Sequence, residues 1–330
     1  MPNYNFNKRI NLFEKDIFSL TKEKFLAVNN PELKKIRNLL KNNKYECIKI
    51  LKLKNKLSMN SDIYLISTKK EKKILKKNLN KIKLNKKKIY LRVKFLKKNT
   101  GNLILPEKVF FVKNKMYEMS DFVEGRTYGG DLKNFKKVLK SYEKIELNTN
   151  IKKIFKSVSY FTQKEEKVLN KFCKKKTVFS DFIWSEWTRL RKLYKKKKVT
   201  KSLFHNDLHP KNVLIKKNGN VILLDHLSFK IVVPEISLSY SLLKICRQIM
   251  ARSKKISKKK IIELIKLNLN KKIFLINKWD ISISDLASME ALRRICIIIQ
   301  NKNINLRDTI FRILIRNMFE GKKIFQNQRL

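Results

Sequence analysis

Between Phe204 and Phe229 the chain reads FHNDLHPKNVLIKKNGNVILLDHLSF, and no other stretch restricts the backbone as much. Two short runs, Val213 to Ile215 and Asn220 to Leu224, flank the dipeptide Asn218-Gly219. That dipeptide signals a tight hairpin, because both central residues of a two-residue turn need φ > 0. Such a hairpin brings Asn212, at the start of one strand, near Asp225, at the end of the other. Asp207 lies five residues before Asn212, on a loop that Pro210 stiffens. The expectation is that two carboxylates and one amide converge at one end of a rigid hairpin. Oxygen ligands from Asp and Asn suit Mg2+, which needs few protein ligands when phosphates supply the rest. A separate carboxylate can accept the proton of an attacking hydroxyl. The three histidines of the chain, His205, His209 and His226, all fall in this stretch. Core packing alone does not explain that clustering.

The flanking sequence sorts into two parts. Residues 31 to 43 read as a helix, with Pro31 in the first turn and Leu33, Ile36 and Leu40 on one face. Strand patterns follow at Tyr45 to Leu53, at Ile63 to Thr68 and, briefly, at Ile74 and Leu75. Ile89, Val93 and Leu96 keep helical spacing and predict a helix over 80–99, ending near Gly101. Two more strand patterns span Leu103 to Val112 and Met116 to Val123. From Asp131 onward the spacing predicts helices at 131–146, 150–173, 179–195, 236–252, 258–269, 284–300 and 307–319, interrupted by the hairpin. A small strand-rich part, 1–123, thus precedes a larger helical part, 124–330.

HNDLHPKNVLI followed by VILLD resembles the catalytic loop of the aminoglycoside phosphotransferase and choline kinase family, H-x-D-x-x-x-x-N with a further Asp after a hairpin. The His-Pro after the first Asp is closer to that family than to protein kinases. The resemblance implies an α+β, two-lobed protein-kinase-like fold. A small antiparallel-sheet N-terminal lobe would hold the nucleotide-binding region. A larger, mainly helical C-terminal lobe would hold the catalytic loop and acceptor pocket. It implies ATP- and Mg2+-dependent transfer of the γ-phosphoryl group to a small-molecule hydroxyl, on an amino sugar, saccharide precursor, choline or homoserine type of acceptor. Asp207 would be the catalytic base, His205 the support of its loop, and Asn212 and Asp225 the Mg2+ ligands.

Upstream, MNSDIYLISTKKEKKILKK, from Met59 to Lys77, looks like the family's phosphate-covering loop and its next two strands. Counted from Tyr64, the family's ATP-binding lysine falls on Lys76; Arg92, in IYLRV, competes for the same role. Residues 54 to 62 contain no Gly, so Ser58, Asn60 and Ser61 would have to offer the donors there. No Asp or Glu occurs between Lys72 and Pro106. The helix carboxylate that pairs with the lysine in the family therefore has no counterpart in that span. YEMSDFVEGRTYGG, from Tyr117 to Gly130, looks like the hinge, where backbone groups around Ser120, Asp121 and Phe122 would bond adenine. Gly125 and Gly129-Gly130 mark the exit from it. Past the hairpin, PEISLSY carries Ser237 where the family often has another Asp, and Asp225 is followed by His226-Leu227 in place of Phe-Gly. These departures describe a divergent subfamily and leave Asp207, Asn212 and Asp225 in place.

The chain carries 80 Lys and Arg against 27 Asp and Glu, a net charge of +53. Lys far outnumbers Arg, and Asn and Ile are abundant, as in proteins encoded by AT-rich genomes. The charge is therefore read as coding bias, not as the footprint of a nucleic-acid partner. A basic nucleic-acid-binding module is one alternative; it would bind with strong salt dependence, and no recognised motif supports it. A catalytically inactive kinase-like scaffold is another, favoured by the missing helix carboxylate and opposed by the intact Asp207, Asn212 and Asp225. Trp184 and Trp187, with Phe182, are candidates for an aromatic ligand wall, but their spacing fits the core side of a helix better. Four scattered cysteines, no signal-peptide pattern and no apolar run of membrane length lead to the expectation of a soluble cytoplasmic protein acting on a small molecule.

Overall fold

The computed structural model describes residues 25–53, 61–79, 86–112, 115–128, 149–174, 178–208, 212–242 and 283–300, with single positions at 134, 137, 138, 141 and 281. In chain order its strands are β1 (Phe25–Ala27), β2 (Lys49–Leu53), β3 (Ser61–Ser67), β4 (Lys72–Asn78), β5 (Lys108–Val112), β6 (Lys115–Asp121), β7 (Arg126–Thr127), β8 (Ser202–His205), β9 (Val213–Ile215), β10 (Val221–Leu223) and β11 (Phe229–Val232). The helices are α1 (Asn30–Asn42), α2 (Lys86–Asn99), α3 (Thr149–Ile154), α4 (Gln163–Cys173), α5 (Val178–Lys195) and α6 (Ile283–Gln300), with a further helix over 234–242. The chain divides into two compact units, Met1–Gly129 with Lys211–His226, and Gly130–Pro210 with Leu227–Leu330.

In the first unit, six antiparallel strands lie in the order β1-β2-β3-β4-β6-β5. Side chains alternate across a strand. Tyr64, Ile66, Leu75 and Met119 therefore meet Ile36, Leu39 and Leu40 of α1 on one face. α1 starts where Asn29 caps the Glu32 N–H and Pro31 occupies the first turn. Its end falls where the sequence predicts, but the strand after it starts late. Lys44 takes a left-handed φ of 63° and the Tyr45 N–H returns to the Leu40 carbonyl. Residues 43–45 therefore close the helix, and the strand expected from Tyr45 begins at Lys49. β4 in turn runs well past Ile74 and Leu75, pairing with β3 from Ser67↔Lys72 to Ser61↔Asn78. Its lysines hide the alternation.

The hairpin β9–β10 forms in the expected place, with Val221↔Ile215 and Leu223↔Val213 in register. Its turn is different. Gly219 has φ 80°, while Asn218 is not among the residues with positive φ. The Gly219 N–H donates to Lys216 O and the Lys216 N–H to Asn220 O. This is a three-residue loop closed by one left-handed glycine, not a two-residue turn. β7 joins β9 through Arg126↔Ile215 and Thr127↔Leu214. At Gly125 an added Cβ would sit 2.9 Å from the Ile215 carbonyl oxygen, so the close approach itself requires glycine. Leu103 bridges Leu223, with Ile104 N–H donating to the Leu223 carbonyl. That bridge accounts for residues 103–104, and β5 starts only at Lys108.

In the second unit, α4, α5 and α6 contact one another, and β8 pairs with β11. The single helix expected over 150–173 is two. After α3 the chain leaves helical geometry so that Ser157 can bridge Ile231, with Val158 N–H donating to Ile231 O. Thr162 and Glu165 then form a reciprocal capping box that starts α4. Among the described residues no helix is long and apolar enough to cross a membrane. The expected helices at 258–269 and 307–319, most of 131–146 and the end of 236–252 lie outside the described residues.

Candidate active site

Candidate site residues occur in both units. In the first, Lys76 projects from the face of β4 opposite to Leu75. Its Nζ lies 2.8 Å from Asp225 Oδ1 and 3.6 Å from Glu118 Oε2. Burial works against the ammonium, but the two carboxylates outweigh it and raise its pKa above the ordinary lysine value. Glu118 faces Lys76 because the β4–β6 register makes Lys76↔Glu118 a direct cross-strand pair. Its Oε1 accepts from His226 Nε2 at 2.6 Å, and its Oε2 from Asn78 Nδ2 at 3.3 Å. Burial pushes the Glu118 carboxyl up, yet His226 and then Lys76 hold it below the usual carboxylate range. An ionised carboxylate only accepts, so Nε2 of His226 is the donor in this bond.

Asp225 follows β10 with φ 65°. A left-handed conformation is uncommon for a residue with a Cβ, and such strain concentrates at functional sites. The Leu224 N–H donates to the Asn212 carbonyl at 2.9 Å, which ties Asn212 to the turn that carries Asp225. Asn212 and Asp225 together offer hard oxygen donors. That set suits a magnesium ion whose remaining coordination comes from phosphate and water. Arg92, on α2, is buried. Its Nη2 approaches the His226 carbonyl at 3.4 Å, and burial pushes the guanidinium down to about 10 despite Asp225 and Glu118 nearby. The structure thus groups both candidate cations, Lys76 and Arg92, around Asp225.

The other residues of the first unit take varied places. Ser61 opens β3, buried, with no partner for its hydroxyl among the described residues. Ser120 pairs with Ile74 across β6 and β4. The Asp121 side chain accepts from Lys73 Nζ at 2.7 Å, and the Phe122 N–H donates to the Lys72 carbonyl at 3.2 Å. The β5 pairing stops at Lys108↔Met119, and beyond Met119 β6 continues against β4 through Ile74↔Ser120 and Lys73↔Asp121. An open cavity of about 680 Å³ is lined by Glu71, Lys72, Asp121, Phe122 and Glu124, without Lys76 or Asp225. Ser58, Asn60, His209, Pro210, Gly129 and Gly130 lie outside the described residues.

In the second unit, β8 delivers His205 and a turn follows with Asn206 and Asp207. The buried His205 ring packs edge-on against Phe229, its register partner on β11, and its Nδ1 accepts the Asp207 N–H at 3.3 Å. Asn206 is buried. Its N–H donates to Ser228 O, and its Oδ1 accepts from the Ser237 hydroxyl at 3.1 Å. Ser237, standing where the resembling family often has Asp, thus secures the turn that carries Asp207.

Arg294 of α6 reaches the same turn, with Nη1 2.9 Å from Asp207 Oδ1 and Nη2 2.7 Å from Asn206 O. The fully buried Glu290 accepts from Arg294 and Arg293. Burial raises the Glu290 carboxyl, but the two arginines override it and bring the pKa down to about 2. The Arg294 guanidinium also stacks over Tyr240, 4.6 Å from the ring centroid. Nothing in the local sequence of α6 pointed to this role. Trp187 is buried, stacked on Trp184 at 5.3 Å and covered by the Arg191 guanidinium at 4.8 Å. Trp187 thus belongs to the core, with Trp184 half-buried beside it.

No family model matches the sequence, and no curated protein does. Solved structures do match. A spectinomycin phosphotransferase crystallised with ADP and spectinomycin superposes with a TM-score of 0.61 at 14% identity, covering 88% of this chain and 98% of its own. Plasmodium vivax ethanolamine kinase gives 0.60 at 14% identity, covering 99% and 98%. Choline kinase from Streptococcus pneumoniae gives 0.55 at 13% identity, covering 88% and 100%. The chain has the α+β kinase-like fold of these proteins.

Proposed function

We propose that this protein is an ATP- and magnesium-dependent small-molecule phosphotransferase, moving the γ-phosphoryl group to an alcohol. The observation that carries the reading is the contact of Lys76 with Asp225 at 2.8 Å. It joins a phosphate-binding cation to a hard-oxygen metal ligand on a strained turn, beside Asn212. The fold adds support, since a protein that shares it was crystallised with ADP. In this reading Lys76 binds nucleotide phosphates, and backbone groups of Ser120 to Phe122 hold adenine. Asn212 and Asp225 would hold the magnesium ion, which neutralises charge on the transferring phosphates. Asp207 orients the acceptor hydroxyl and takes its proton. His205, through its bond to the Asp207 N–H, holds that carboxylate's loop. The acceptor is a small hydroxyl compound of the amino sugar, saccharide precursor, choline or homoserine type, and the setting is the cytoplasm.

The test is a melting curve of wild type and Asp225→Ala, each with and without saturating MgATP. A ligand that binds the native state raises the melting temperature by mass action. A magnesium-dependent rise in wild type that is lost in the variant supports the site and justifies screening hydroxyl acceptors. Absence of any rise in wild type overturns the reading.

A further inference from the structure

From Lys73 to Leu105 the chain contains no acidic residue, so α2 offers no carboxylate to aim Lys76. What α2 buries toward Asp225 and Glu118 is a cation, Arg92. A buried ammonium without a fixed counter-charge would be both costly and poorly directed. The sheet resolves this from another side. We infer that Glu118, on β6, is the positioning residue for Lys76 in place of a helix carboxylate, and that His226 is the residue that orients Glu118. The inference rests on the reading of Lys76 as the phosphate-binding cation.

Three features carry it. The register makes Lys76 and Glu118 direct neighbours on one sheet face, so their approach is set by two paired strands rather than by a mobile helix. Both Glu118 oxygens are committed, Oε1 to His226 at 2.6 Å, and Oε2 to Asn78 at 3.3 Å and Lys76 at 3.6 Å. A carboxylate gripped at both oxygens cannot rotate away from the lysine. Finally, Lys76 is shared between Glu118 on a strand and Asp225 on a turn. When phosphates draw the ammonium from Asp225, Glu118 remains to hold it.

Two departures from the resembling family then become one device. The helix acid is missing, and the residue after Asp225 is His226 where that family has Phe. A phenyl ring has no N–H to give Glu118; the imidazole does, and it gives it within a buried pair. His226 also lies next to Asp225, so the anchor of the lysine and the turn of the metal ligand are tied through one side chain.

The experiment is calorimetric titration of MgATP and of adenosine into wild type, Glu118→Gln, His226→Phe and the double variant. Melting temperatures of the ligand-free proteins are taken alongside. Glu118→Gln is expected to weaken MgATP about tenfold, the scale of one charge-assisted contact, and to leave adenosine unchanged. His226→Phe is expected to weaken MgATP in the same direction, and the double variant to be no weaker than Glu118→Gln, as a shared contact requires. MgATP affinity in Glu118→Gln equal to wild type overturns the inference. Equal losses for adenosine and MgATP also overturn it, because they mark a residue that merely holds the sheet. Should Glu118→Gln not fold, His226→Phe decides alone: selective loss of MgATP supports the device and unchanged affinity refutes it. Wild type that binds no MgATP, or Lys76→Ala that binds it fully, defeats the nucleotide-site reading instead.

Discussion

Arg294 donates to Asp207 from a helix 87 residues further along the chain, Nη1 to Oδ1 at 2.9 Å, while its Nη2 holds the Asn206 carbonyl. The planar guanidinium spans two acceptors of the turn at once, which an ammonium cannot reproduce. Replacing Arg294 with Met removes that grip on Asp207. Phosphate release from MgATP without added acceptor is expected to fall by about tenfold or more, with MgATP affinity retained. Arg294→Lys keeps the charge and should retain part of the rate. Unchanged phosphate release in Arg294→Met would show that the bond is incidental.

Glu290 is the buried counter-charge for Arg293 and Arg294, with a carboxyl pKa brought from 4.5 to about 2. The folded-state value is depressed, so its contribution to stability is complete above the unfolded value. It is lost as pH falls from about 4.5 toward 2. Glu290→Gln should cost about 3 kcal/mol at neutral pH, because it leaves the buried arginines without their carboxylate. It should also flatten the acid limb of stability against pH. Glu32, likewise held at about 2 beside Lys52, Lys77 and Tyr64, titrates in the same window. Some acid sensitivity therefore survives in the variant. Denaturant midpoints from pH 7 to pH 2 check both statements.

Gly125 approaches the hairpin so closely that an added methyl would meet the Ile215 carbonyl at 2.9 Å. Backbone cannot swing aside as a side chain can. Gly125→Ala is expected to cost about 1–3 kcal/mol by overpacking. The measurement is a shift in the urea midpoint at constant m-value.

Ser237 donates to the buried Asn206 side chain at 3.1 Å. Ser237→Ala should cost about 1 kcal/mol, the ordinary value of one buried hydrogen bond. Amide exchange is expected to rise at Asn206 and Asp207 before it rises in the strands. Exchange that stays unchanged at that turn would show that the bond does not hold it.

Much of the fold was legible because its signals are local. The helix at Asn30–Asn42 announced itself through Pro31 and an apolar stripe, and the hairpin through two apolar runs around Asn218-Gly219. Where the sequence reading failed, a nonlocal contact had intervened. Ser157 leaves helical geometry to bridge Ile231, although Thr162 and Glu165 did carry a readable capping pattern for the helix that follows. At β4, exposed lysines masked an alternation that only pairing with β3 on one side and β6 on the other makes definite.

For the site, residue type and short spacing were enough to nominate Asp207, Asn212 and Asp225, because catalytic loops and hairpins are compact in sequence. Lys76 emerged by counting along a strand pattern. Its partner could not be found that way. Along the sequence the missing helix acid is a gap, whereas β4 and β6, separated by α2 and β5, bring Glu118 opposite the lysine. The charge on Glu118 was visible, but its face and its neighbour depend on register, and register is a property of paired strands. Arg294 is the same case on a helical scaffold. One arginine among many, it acquires its role when α6 sets Glu290 behind it and Asp207 before it. Local sequence determined which groups can do chemistry, since that depends on residue type and short-range backbone preference. Tertiary structure decided which charges restrain one another, since that depends on distances between segments that only folding brings together.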